Sequence, residues 1–290
     1  MDRSSPREAG QPEARPEPSG YADAGPAARA WAEALASWAI PDHIAAAAPE
    51  PPWTCSPTLF ASSAERSMAP DFVPTPSRQK AREALPDGGT VLDVGVGGGA
   101  ASLPLCPPAG MVVGVDENPA MLEVFAAAAD RLGTAHREVE GAWPAAADRV
   151  EAADVVVCHH VLYNVADLGP FAAALTGRAR RRVVVELSAE HPLARLNPLW
   201  KKIHGLDRPS DPTAAGAVAA LEESGLAPRV EESTVTGPWG SADRAAIVRF
   251  SRRKLCVGPE WDAEIDAVLG DPAERPPRRI VTIWWDGTAR

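Results

Sequence analysis

The sequence predicts an α/β protein built on a doubly wound, mostly parallel sheet, preceded by a small helical cap. Val-rich runs without polar alternation recur along the chain: TVLDV at 90–94, MVVGV at 111–115, DVVVC at 154–158 and RVVVEL at 182–187. Such runs suit strands buried on both faces of a parallel sheet. Helix-like stretches separate them, AMLEVFAAAADRL at 120–132 and DLGPFAAAL at 167–175, and this alternation belongs to a sheet with helices on both sides. A glycine cluster, GVGGG at 95–99, follows directly on the first run.

Each element follows in order. Residues 1–30 hold Pro6, Pro12, Pro16, Pro18 and Pro26 and no Val, Ile, Leu, Phe or Trp. Such a tail buries too little apolar surface to offset its ordering entropy and is expected to be disordered. Residues 31–76 read as the cap and its connection: Trp31, Leu35 and Trp38 recur at helical spacing, Pro41 ends that helix, and a Pro- and Ser-rich stretch follows. Residues 77–290 form the sheet domain, opened by the helix SRQKAREAL with Ser77 as N-cap. Residues 191–212 are too broken by proline for one helix. Beyond them, TAAGAVAALEESG and DRAAIVRFSRRKL read as helices, and PRVEESTV and RRIVTIWW as strands.

Composition narrows the function. The chain has 290 residues, 45% of them hydrophobic, enough for one large domain with an appendage. A net charge of -10 opposes a nucleic-acid backbone. The basic runs at 178–182, 252–254 and 275–279 flank apolar stretches and read as solvated faces. Cys55, Cys106, Cys158 and Cys256 lie far apart with no C-x-x-C pair, which argues against a disulfide framework or a structural zinc. The opening MDRSSPREAG lacks the apolar core of a signal peptide and no run is long enough to span a membrane, so a cytoplasmic location is expected.

The glycine cluster is the functional clue. In an open α/β sheet the ligand lies beyond the carboxyl ends of the strands, where a glycine-rich turn lets the backbone approach it and the following helix aims its N–H groups. Asp116, just after the second strand-like run, is placed to accept hydrogen bonds from both hydroxyls of a ribose. Loop and acid together point to a nucleoside-containing ligand. Two readings of the loop stand at this point. Gly95-x-Gly97-x-x-Ala100 fits the dinucleotide fingerprint, while Asp93 to Gly99 spells D-x-G-x-G-x-G.

In that second form, and in the order of its motifs from about Ser77 to Arg290, the chain resembles the class I S-adenosylmethionine-dependent methyltransferases. The resemblance implies a Rossmann-like fold with an antiparallel C-terminal strand, here RRIVTIWW. It implies S-adenosylmethionine as cofactor, held by Asp93, Gly95, Gly97 and Gly99 and, at the ribose, by Asp116. The stretch DVVVCHHVLYNVADLGPF looks like the family's run after the fourth strand; the backbone near His159 would then meet the cofactor's methionine portion and His160 would lie close to the transferring methyl. Where many members place an adenine-binding Asp, this chain reads REVEGAWPAAA. Glu140 is the nearest acid there, with the backbone of Gly141 and Ala142 holding adenine and Trp143 covering it.

His160 and His191 are the candidate bases for an acceptor that must lose a proton, and Tyr163 and Trp200 the candidate acceptor-lining residues. His43 and His204 have bland readings, as do Trp31, Trp38 and Trp53 as cap anchors and Trp284 and Trp285 as packing. The acceptor is expected to be a small molecule, with neither nucleic acid nor membrane as partner. Two alternatives remain beside the methyltransferase: a methyltransferase-like protein that binds cofactor without catalysis, and a nicotinamide-dependent oxidoreductase.

Overall fold

The computed structural model describes residues 25–54, 56–235, 244–271 and 277–289. Four helices come first: α1 (Pro26–Ala36), α2 (Asp42–Ala47), α3 (Pro57–Ser67) and α4 (Pro76–Ala84). Proline opens α1, α3 and α4, where its missing N–H costs nothing and its fixed φ suits the first turn. Most of the expected tail lies outside the described residues, but residues 26–30 are already helical. Ser77 is not the cap of α4 either; Thr75 holds that position, and the Ser77 side chain is buried against the sheet.

The sheet domain then runs β1 (Thr90–Val94), β2 (Met111–Asp116), α5 (Pro119–Leu132), β3 (Ala135–Glu140), β4 (Ala153–His159), α6 (Leu168–Arg178) and β5 (Ala179–Ser188). After it come α7 (Asn197–His204), α8 (Ala214–Glu223), β6 (Arg229–Val235), α9 (Arg244–Lys254), α10 (Asp262–Leu269) and β7 (Arg278–Asp286). The seven strands are ordered β3-β2-β1-β4-β5-β7-β6. β1 to β5 are parallel, and β7 runs antiparallel to both β5 and β6. The expected antiparallel strand is thus present, though it lies between β5 and β6 rather than at the edge. Strand order reverses between β1 and β4, the switch point at which such sheets take ligands.

One expectation fails just after β1. No α-helix follows the glycine loop; the chain turns through a single 3-10 turn at Leu103–Leu105. Pro104, Pro107 and Pro108 crowd this connection, and each removes a backbone donor that an α-helix would need.

Successive strand residues face opposite layers. Leu92, Val156, Val183 and Val185 pack with Trp31, Phe171, Leu175 and Leu221 beneath α1, α6 and α8. Val91, Val155, Val157 and Val184 pack with Ala81, Ala84, Phe125 and Ala129 beneath α4 and α5. A third apolar cluster joins Ile40 and Ile44 of the N-terminal cap to Leu199 and Trp200 of α7, Ile247 and Val248 of α9, and Ile265 and Leu269 of α10. The cap is therefore composite, drawn from segments before and after the sheet core.

Candidate functional site

The loop after β1 is shaped by three glycines in left-handed backbone, Gly95 (φ 74°), Gly97 (φ 50°) and Gly99 (φ 82°). Their surroundings differ. A side chain at Gly99 would strike Leu103 and Phe125 in the core, and one at Gly95 would strike Val161. At Gly97 the close neighbour is Phe60 of α3, whose Cδ1 stands 2.7 Å from where a Cβ would lie, and at Gly98 it is the Phe60 carbonyl oxygen. Phe60 therefore roofs the middle of the loop.

Beneath the loop, Asp93 is buried and accepts a hydrogen bond from Ser102 Oγ at 2.6 Å. Burial, reinforced by the nearby Asp116 charge, pushes its pKa up to about 7 against the pull of Ser102. Its carboxyl braces the turn from below. Asp116, at the end of β2, accepts from the Gly97 N–H at 3.0 Å and from the Asn118 N–H at 3.0 Å. Burial raises its pKa, while those backbone donors and that of Glu117 oppose the rise. Glu140 is its direct neighbour in register on β3, and the Gly141 N–H donates to the Asp116 carbonyl at 2.8 Å. The structure thus brings together Gly97, Asp116, Glu140 and Gly141 at one edge. Ala142 is exposed beside them, but Trp143 turns away, its indole N–H donating to the Phe171 carbonyl at 3.2 Å. Arg149, which donates to the Glu140 carbonyl, is the side chain that packs over Gly141.

At the end of β4, His159 and His160 diverge. Burial lowers the His159 pKa to about 4, so the ring is neutral, and its Nε2 is buried without a hydrogen-bond partner. His160 is half-exposed and sits in left-handed backbone (φ 60°). For a residue with a Cβ this conformation is strained and is held by its surroundings. Here the His160 N–H donates to the Glu186 carbonyl at 2.7 Å, and its Nε2 lies 3.2 Å from Glu186 Oε1.

Glu186, on β5, is the residue that sequence reasoning missed. It lies in the Val-rich run RVVVEL, where one acid among apolar residues was the available signal. Its carboxylate is buried, and its other oxygen accepts from the Ser77 hydroxyl at 2.5 Å and from the Thr75 hydroxyl. Burial alone would raise its pKa. The neighbouring His159 and His160 rings and the Ser77 hydroxyl outweigh that and hold it well below the ordinary range.

The other candidates sit elsewhere. His191 is not an open base: it is buried, stacked on Trp38 with ring centroids 3.6 Å apart, and its Nδ1 accepts from the Leu193 N–H at 3.3 Å. Burial, with the charge of Arg208, lowers its pKa to about 4. Tyr163 is buried as well, its hydroxyl donating to the Ser188 carbonyl at 2.9 Å. Trp200 belongs to the third apolar cluster. All three are buried, so none presents an open face to an acceptor.

The loop glycines and the Asp116 carboxylate lie at the switch point of a doubly wound, Rossmann-like sheet, where such sheets take ligands. Residues 92–181 match the family profile described as a methyltransferase domain. That match spans β1 to the start of β5, about a third of the chain, and favours the methyltransferase form of the glycine loop over the dinucleotide form. No curated protein matches the sequence. Among solved structures it is similar to the YcgJ protein of Bacillus subtilis at 16% identity, covering 74% of this chain and 99% of that one with a TM-score of 0.49. It is also similar to magnesium protoporphyrin IX methyltransferase of Synechocystis PCC 6803 at 17% identity, covering 78% and 93% with a TM-score of 0.45.

The residues present fit the cofactor. The Asp116 carboxylate beside the Gly97 N–H is a diol acceptor, and His159 Nε2 is an orphaned polar atom at the carboxyl end of β4, while the Phe60 ring and carbonyl stand over Gly97 and Gly98. Among the described residues no cluster of side chains could hold a metal ion, and no helix is long and apolar enough to cross a membrane.

Proposed function

We propose that the chain methylates a small-molecule acceptor at the carboxyl ends of β4 and β5, with His160 as general base and Glu186 as the residue that positions it. When bound, S-adenosylmethionine supplies a methyl group on a sulfonium, already activated for in-line displacement. Asp116 and Glu140 would hold the ribose, the backbone of Gly141 and Ala142 the adenine, and the Gly95–Gly99 turn and the backbone near His159 the amino-acid end.

The His160–Glu186 pair is the observation that carries the reading. A carboxylate on Nε2 fixes the proton there and leaves Nδ1 as the basic nitrogen. Among the described residues no hydrogen bond reaches Nδ1, and the ring is half-exposed, so it can accept a proton from a hydroxyl or ammonium. A buried carboxylate also stabilises the imidazolium that forms. The acidic chain and the composite cap support a small acceptor over a nucleic acid.

Three measurements test this. S-adenosylmethionine and its demethylated product should raise the melting temperature, and NAD and NADP should not. Asp116→Asn should weaken binding roughly tenfold or more and abolish discrimination against a 2′-deoxyribose analogue, as expected for charge-assisted hydrogen bonds lost in a partly buried site. Incubating the protein with methyl-labelled cofactor and a small-molecule extract should yield a low-mass labelled product, which His160→Ala reduces sharply. Label found only on protein or RNA would overturn the acceptor assignment.

A further inference from the structure

Arg208 is a largely buried cation of the cap. Its guanidinium carbon lies 3.4 Å from the Trp200 ring centroid and 5.7 Å from that of Trp38. Its Nη1 is buried with no hydrogen-bond partner. Among the described residues no carboxylate pairs with it: Asp207, the preceding residue, is taken by Lys201 at 2.7 Å, and the Asp211 backbone carbonyl accepts from the Trp38 indole at 2.5 Å. Burial is costly for an unpaired cation and pulls the Arg208 pKa down to about 10. Stacking on tryptophan offsets part of that cost, and an arriving anion would offset more.

The position ties this cation to the acceptor side of the sheet. Tyr163 follows β4, its ring meets His191 edge-on at 5.2 Å, His191 stacks on Trp38, and Arg208 lies over Trp38. These buried rings therefore link the segment after β4 to the guanidinium through direct contact. A structural role alone, sealing the Trp38–Trp200 seam, would be served by an apolar side chain without an orphaned donor.

We propose that Arg208, clamped between Trp38 and Trp200, is the anchor for a carboxylate on the methyl acceptor. This rests on the methyltransferase reading and narrows its substrate to the class of carboxylic acids. The planar guanidinium offers two parallel donors to such a group, and in a chain of net charge -10 it is a local positive point that selects the anion.

Tryptophan fluorescence of the full chain provides the test, with benzoate as probe and neutral benzamide as control at constant ionic strength. Benzoate should give a saturable change that benzamide does not. Arg208→Gln should weaken the benzoate response at least tenfold while S-adenosylmethionine affinity, read by calorimetry, stays within twofold. Arg208→Lys keeps the charge but loses the planar fork, and should weaken benzoate at least threefold; this variant decides the matter if Arg208→Gln does not fold. No saturable response to benzoate in the wild type, or an equal one in the variants, overturns the anchor. Loss of cofactor binding in the wild type would instead overturn the methyltransferase reading.

Discussion

Gly97 and Gly98 are adjacent, yet substitution should fail at each for a different reason. Alanine at Gly97 meets a side chain, the Phe60 ring, and must also adopt a left-handed backbone that costs about 1–2 kcal/mol. Alanine at Gly98 meets the Phe60 backbone oxygen, which no side-chain change can remove. In urea denaturation both variants should be destabilised. Adding Phe60→Ala should recover part of the Gly97→Ala loss and none of the Gly98→Ala loss, so the two mutant cycles should show coupling in the first case only. Equal coupling in both would mean that α3 is not seated on the loop. The need for glycine here was legible in the sequence, because four glycines in five positions exceed the needs of a turn. What the glycines face was not, since Phe60 lies more than thirty residues away in a proline-rich stretch with no pattern. The same holds for His160, readable as a site residue, and Glu186, which no local rule joins to it.

The N-cap position of α1 is Gly25, which offers no side chain to the free N–H groups of the first turn. Glu223, at the end of α8, takes that role: its carboxylate accepts from the Ala27 N–H at 3.1 Å and the Ala28 N–H at 2.9 Å. Glu223→Ala should cost about 1 kcal/mol, typical of a lost N-cap, and should speed proteolysis within α1 while leaving the sheet core protected. Unchanged cleavage would show that Trp31 and Leu35 hold α1 unaided. Elements were the most legible level of this molecule. Continuous Val runs can only be buried strands, and α5 and α6 announce themselves through apolar periodicity and, for α5, the Asn118 cap. The misses have local causes. The prolines after the glycine loop replaced an expected helix, and α10, DAEIDAVL, is too short and too acidic to stand out.

For the molecule as a whole, buried ionisable groups set the response to acid. His159 and His191 have pKa values near 4 in the fold against an ordinary 6.5, so the unfolded chain takes up their protons first and stability falls as pH drops from about 6.5 to 4. Glu186, held below its ordinary 4.5, adds a further loss as pH falls through and beneath that value. Asp93 acts oppositely: with a folded pKa near 7 against 3.8, the stability it contributes when protonated is lost as pH rises between those values. Two imidazoles outweigh one carboxyl, so the urea midpoint should fall on acidification from pH 6.5 to 4.5. Asp93→Asn, which removes the opposing group, should steepen that fall; a shallower one would mean that Asp93 is ionised in the fold. The sheet order also sets a schedule for assembly. β7 is the last of the seven strands in chain order, yet it lies between β5 and β6. Until residues 278–286 emerge during synthesis, β5 has one open edge and β6 has no strand to join, roughly ninety residues of chain having been made since β5. An open Val-rich edge is the kind that pairs with other chains, so a nascent or truncated molecule lacking β7 is the form that chaperones would have to guard.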